Sequence, residues 1–116
     1  MIYKPNKILH VTTFQHWSQF KNYPFYESDS LQNEGFIHSC TKEQLLGVIG
    51  RHFASHQILM LLEIDTSKLV NPLRMEESYP GDWYPHLYGS LNKDAITKII
   101  PMEADSFGSF TMPDNL

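Results

Sequence analysis

The stretch from Gln57 to Ile64 is apolar nearly throughout and ends at the turn formers Asp65, Thr66 and Ser67. That pattern predicts a strand buried on both faces, lying centrally in a sheet. Ile8 to Thr12 is β-branched and apolar around one histidine and predicts an opening strand. Thr13 can then cap a short helix carrying Phe14, Trp17 and Phe20 at helical spacing. Further on, Thr41 and Gln44 stand three apart as in a capping box, and Leu45, Leu46, Ile49 and Phe53 form an apolar stripe. A helix from about Lys42 to Phe53 follows.

Weaker signals fill the gaps. Asn22 to Ser30 is turn-rich, Leu31 to Glu34 predicts one helical turn stopped by Gly35, and Phe36 to Ser39 predicts a short strand. Leu73 to Glu76, Tyr84 to Tyr88 and Ala95 to Ile100 predict three more strands, the last closing at Pro101. Ser78 to Asp82 reads as a Pro and Gly loop, and Gly89 to Asn92 as the turn that makes the last two strands a hairpin. Helices early and strands late indicate an α+β domain, not a regular βαβ winding.

A chain of 116 residues is the size of one domain. Residues 1–102 are expected to form it, with 103–116 a loosely ordered tail. The formal charge of −4 and the scatter of nine Lys and Arg residues remove the basic footprint that phosphate backbones select, so no nucleic-acid partner is expected. Cys40 is the single cysteine, which excludes an internal disulfide and points to a reducing compartment. Met1 to Lys7 has no apolar run after its basic residues, and no hydrophobic stretch is long enough to span a bilayer. A soluble cytoplasmic protein without a membrane partner is the expectation.

Six histidines in so short a chain bring in chemistry, because imidazole exchanges protons and binds metals near neutral pH. His10, His38 and His86 fall inside predicted strands beside Leu9 and Val11, Ile37, and Leu87. If those neighbours face the core, alternation turns the three imidazoles the other way, into one cleft. For each alone, a half-buried ring held by a backbone carbonyl is the plainer reading. Their company favours a site: Thr12, Ser39 and Thr41 offer small donors, and Tyr84 and Tyr88 offer flat rings, as a polar aromatic ligand requires. The junction from Ser39 to Glu43 leaves amides free for an anion, unless Thr41 and Glu43 already satisfy them. His52 and His56 have a metal-sharing spacing, but no Glu lies between them, they suit a helix C-terminus anyway, and no tightly held metal is expected. Cys40 near the helix start could be a nucleophile, though free cysteines are more often small buried hydrophobes.

Gly35, Phe36, Ile37, His38, Ser39, Cys40, Thr41 resembles the Gly-Phe-Ile-His-x-Ser-Thr signature of the family called domain of unknown function 952. Pro85 to Leu91 resembles its Pro-His-x-Tyr-Gly-x-Leu block, Arg74 to Glu76 its Arg-aromatic-Glu element, and Ile8 to Thr13 ahead of Trp17 its opening strand and helix. Cys40 stands where Ser is usual, and Trp83 and Tyr84 replace the common Phe before Pro85. The resemblance implies an ADP-ribosyltransferase-like fold: split antiparallel β-sheets with a few short helices, around a cleft that holds NAD in related enzymes. It implies no established activity.

Within that resemblance, His10 with Thr12 looks like a first-strand His-x-Thr that grips the nicotinamide ribose, and His38 resembles the second-strand position. Active transferases generally add a late-strand glutamate, where the matching block here offers His86 and Tyr88; Glu76 is the nearest acidic candidate. The implied function is binding of NAD, ADP-ribose or a related nucleotide, with NAD as substrate or ligand and weak or no transferase activity. His38 and His86 would move or polarise a proton, Tyr88 would stack on the ligand, and Glu76 would steady charge. The alternatives are a nucleotide-sensing module without turnover and a metal-dependent hydrolase using three histidines.

Overall fold

The structure, a computed structural model, describes residues 4–116. In chain order it contains β1 (Lys7–Thr12), α1 (Phe14–Ser18), β2 (Phe25–Tyr26), α2 (Asp29–Glu34), β3 (Ile37–His38), α3 (Leu45–His52), β4 (Ile58–Asp65), β5 (Leu73–Tyr79), β6 (Asp82–Leu87), β7 (Leu91–Asn92) and β8 (Ile96–Glu103). Every strand pairing is antiparallel, so the domain is α+β.

β4 is the middle strand of a first sheet, ordered β1-β4-β8, and both its faces are covered. On one face Leu59 and Leu61 pack with Leu9 and Val11 of β1, Leu45 and Ile49 of α3, and Cys40, Tyr84 and Met102. On the other, Leu62 and Ile64 pack with Ile8, Tyr26, Ile37, Leu73, Leu87, Leu91 and Ala95. One strand thus serves two cores, and that is why its sequence is apolar without alternation. A second sheet is the short pair β2-β7, and a third is ordered β3-β6-β5. The chain after β3 joins the third sheet to the first, because Leu9 and Cys40 exchange two backbone hydrogen bonds of 2.8 Å each.

Three expectations are corrected. Gly89 to Asn92 does not fold a hairpin between the last two long strands: β6 pairs with β5, β8 pairs with β4, and Leu91 and Asn92 form β7 against β2. The turn residues carry the chain from one sheet to another, which local propensity does not distinguish from a hairpin. Ser78 to Asp82 is no open loop, because β5 runs to Tyr79 and β6 begins at Asp82, leaving only Pro80 and Gly81 to turn. Gly81 adopts φ 78° there, a conformation suited to residues lacking Cβ. Finally, β8 continues through Pro101, which sits opposite Met60 in an edge strand that tolerates its missing N–H. Beyond β8 the chain has no regular element, yet Phe110, Met112 and Leu116 pack against the α3-side core.

β4 carries one charge inward. Glu63, 4% exposed, receives hydrogen bonds from Lys7 Nζ at 3.2 Å and Thr97 Oγ1 at 2.7 Å. Burial alone would raise its pKa, but the Thr97 and Lys7 bonds outweigh burial and hold it below the usual carboxylate value. A depressed folded-state pKa means that the carboxylate's stabilisation is complete above about pH 4.3, the unfolded value, and is lost as pH falls through the lower folded one. Urea titrations should therefore show an acid-side loss of stability that Glu63→Gln flattens, at a cost of about 1–3 kcal/mol at neutral pH. An unchanged acid limb in the variant would contradict this account.

Candidate functional site

A cavity of about 500 Å³ opens beside the junction of the first and third sheets. β1 supplies His10 and Thr12 to its floor, and the chain leaving β3 adds His38, Ser39 and Cys40. Thr13 and His16 of the first helical segment line it together with Tyr26 and with Ser28, Asp29 and Ser30 at the start of α2. Gly35 ends α2 with φ 90°, and its amide bonds to Leu31 O. The last turn of α3 adds Val48, Arg51 and His52, and the β5–β6 hairpin adds Tyr79 and the largely buried Tyr84.

His10 is 5% exposed and both its nitrogens have internal partners. A carbonyl only accepts, so Nδ1–H donates to His38 O at 2.6 Å, and Nε2 must accept from Tyr26 Oη at 2.9 Å. Burial pulls the pKa of His10 down to about 4 and pushes that of Tyr26 up to about 12, so both are neutral at physiological pH. The expectation that His10 is a cleft residue and not a core residue is thus only half right. Its ring borders the cavity, but it is also a fixed part of the core with no nitrogen left to bind a ligand or move a proton.

The other expected residues separate into two groups. Thr12, His38 and Ser39 join His10 at the cavity, whereas His86, Glu76, Thr41 and Tyr88 do not line it. Thr41 has become structural: Gln44 Oε1 accepts from its amide at 2.9 Å, and Gln44 Nε2 bonds to Asp82 and to Trp83 O. The capping reading of this junction therefore prevails over the anion reading. His86 stands directly opposite His38 across the β3–β6 pair, stacked on Phe36 at 4.0 Å. Its Nδ1 donates to Glu76 Oε1 at 2.8 Å, and Tyr88 Oη donates to the same oxygen. The Tyr88 bond, then the His86 bond, lower the Glu76 pKa, and the same carboxylate raises that of Tyr88. Cys40 is 2% exposed and burial pushes its thiol up to about 12, so it is no nucleophile. α3 stops at His52, so His52 faces the cavity while His56 packs on Phe53, and the two do not form a helical pair.

Arg51 is the functional candidate that the sequence reading missed. Its Nη2 donates to Tyr84 Oη at 2.7 Å, Tyr84 Oη donates to Asp82 Oδ2 at 2.9 Å, and the guanidinium lies 5.5 Å from the Tyr79 ring centre. Among the described residues no carboxylate forms an ion pair with it. It is therefore a positioned, unneutralised cation in a cavity wall with most of its donors unused. The one signal for it was its place beside His52 in the last helical turn, which dipole complementarity already explains.

A family model described as "Protein of unknown function (DUF952)" matches residues 11–99. The crystal structure of protein CC0527 from Caulobacter crescentus is similar, at 26% identity and a TM-score of 0.84, covering 94% of this chain and 96% of that one. Its solution structure matches at 26% identity and a TM-score of 0.80, covering 97% of each chain. No curated protein matches.

The two bonds of His10 make it a test of the core. His10→Ala should cost about 2–4 kcal/mol, from the cavity left and the Tyr26 and His38 groups stranded. Because the folded ring has a pKa near 4 and the unfolded one 6.5, wild-type stability is complete above pH 6.5 and declines as pH falls towards 4. The decline attributable to this group is about 3 kcal/mol. Denaturant titrations across that range should show the slope in wild type and its loss in the variant; a full-strength slope without His10 would refute the assignment.

Proposed function

The chain belongs to the DUF952 family, and for this member we propose that the cavity binds NAD, ADP-ribose or a related nucleotide, with weak or no transferase turnover. The observation that carries the reading is Arg51. A guanidinium held by a tyrosine hydroxyl, and not by a carboxylate, is preorganised for a phosphate group, which it can engage with two parallel donors. His52 stands beside it at the same wall. Tyr79 and Tyr84 offer rings for a base or nicotinamide, and Thr12, Ser28, Ser30 and Ser39 offer hydroxyls for a ribose. A volume of about 500 Å³ suits such a molecule. In this reading His10 shapes the floor and His38 is the ring at the rim able to exchange a proton.

An ADP-ribosyltransferase-type fold is part of the proposal, supported by two three-stranded antiparallel sheets with the cavity at their junction. The position of Glu76 supports weak turnover. Ribosyl transfer develops positive charge as nicotinamide leaves, and one well-placed carboxylate is commonly worth about 10²- to 10³-fold in rate. Glu76 is committed to His86 and Tyr88, outside the cavity lining. The same fact favours a second reading, a nucleotide-sensing module with no turnover. For a three-histidine hydrolase there is no support, since no described cluster of three His, Cys, Asp or Glu could hold a metal.

Thermal-shift and calorimetric titrations with NAD, ADP-ribose, AMP and adenosine test this. The phosphorylated ligands should stabilise the fold, by about 2.7 kcal/mol when present at a hundred times the dissociation constant. Arg51→Gln should weaken them about 10- to 100-fold, the worth of a charge-assisted hydrogen bond, and leave adenosine unaffected. An Arg51→Gln protein that binds ADP-ribose like wild type sinks the phosphate anchor, and no response to any nucleotide sinks the ligand class. NAD hydrolysis should be slow, and rapid turnover would overturn the weak-transferase part.

A further inference from the structure

In the third sheet two histidines are each backed by a carboxylate: His38, at the edge of the cavity, and His86, outside its lining. Glu76 Oε1 accepts from His86 Nδ1 at 2.8 Å, and Glu34 Oε2 accepts from His38 Nε2 at 2.8 Å. A carboxylate accepts and does not donate, so in the neutral rings these bonds fix the tautomers. The proton sits on Nδ1 of His86 and on Nε2 of His38, which leaves a lone pair on His86 Nε2 and on His38 Nδ1. A histidine whose second nitrogen donates to a carboxylate is the arrangement that orients imidazole towards a metal ion and raises its basicity.

Two further observations point to a ligand. The His86 side chain is 8% exposed, and its Nε2 is buried with no hydrogen-bond partner. An acceptor buried without a partner is destabilising unless a ligand satisfies it. The two rings also have suitable spacing, since His38 and His86 are direct cross-strand partners with ring centres 5.5 Å apart. Two imidazoles sharing one zinc ion, with nitrogens about 2.0–2.1 Å from it, place their ring centres roughly 5 Å apart. The rings stand at 82°, and His38, with its side chain 55% exposed, is the more accessible of the two.

We propose that His38 and His86 together bind an exchangeable borderline divalent cation of the zinc class, with Glu34 and Glu76 as the groups that hold the two rings in their ligating tautomers. Imidazole selects such ions over magnesium or calcium. Among the described residues no third His, Cys, Asp or Glu completes the set, so water fills the remaining positions and the ion exchanges readily. This is compatible with the expectation that no metal is tightly held. It shares His38 with the nucleotide cavity but rests on His86, whereas the nucleotide reading rests on Arg51.

The test is a titration of the full chain, carrying ¹⁵N-labelled histidine, with zinc chloride, read by long-range ¹H–¹⁵N spectra. The expected result is a saturable one-to-one response in which His86 Nε2 and His38 Nδ1 shift together and EDTA reverses the change. His38→Gln, at an exposed position that leaves the core intact, should abolish the His86 response; Glu76→Gln should weaken binding about 10- to 100-fold. Arg51→Gln should leave the response unchanged, which separates metal binding from the phosphate anchor of the cavity. No saturable change in wild type, or a His86 shift that survives His38→Gln, overturns the proposal.

Discussion

One imidazole connects all three sheets. His10 belongs to the first sheet through β1, its Nε2 accepts from Tyr26 in the second, and its Nδ1–H donates to the backbone of His38 in the third. The β2-β7 and β3-β6 pairings extend over only two residue pairs each, too few for those short strands to hold position by ladder bonds alone. The buried, neutral ring supplies the missing constraint with two directional bonds in a place where water cannot compete. It acts with the Leu9–Cys40 backbone bonds and with Ser39, which donates to Pro85 O from both its amide and its hydroxyl, to hold the cavity-side end of β3.

Where a segment's environment is uniform along its length, its structure was legible. β4 is apolar because both faces are covered, β1 and α3 carry their caps and stripes in plain order, and Gly35 stops α2 where only a residue without Cβ sits easily. The partners of the short strands were not legible. Leu91 and Asn92 pair with Phe25 and Tyr26 from the far end of the chain, and no local pattern encodes that choice. A turn signal states that the chain bends and leaves open which sheet it bends into.

The site shows the same division. Strand alternation correctly turned His38 and His86 to one face, since their positions depend on one antiparallel register. The cavity divides the three differently: His10, from another sheet, and His38 both border it, whereas His86 stacks on Phe36 outside its lining. Arg51 escaped notice for a related reason: its meaning depends on Tyr79 and Tyr84, brought over α3 by a hairpin far away in sequence. Cavities assembled from several sheets are properties of the tertiary arrangement. Only the identity of the groups, here imidazoles, tyrosines and small hydroxyls, is present in the linear pattern.

Pro101 bears on how this molecule meets other copies of itself. β8 is an outer strand, and Ile99 on it is half exposed, so its rim would otherwise be a template for strand addition and growing β-stacks. Because Pro101 has no N–H, the rim lacks a donor at that point, and Lys98 and Glu103 flank it with charge. A second chain aligned along β8 would meet a broken ladder and the exposed charge of Glu103. The residue that ends the sequence's β pattern is thereby the one that interrupts this edge as a template for strand addition.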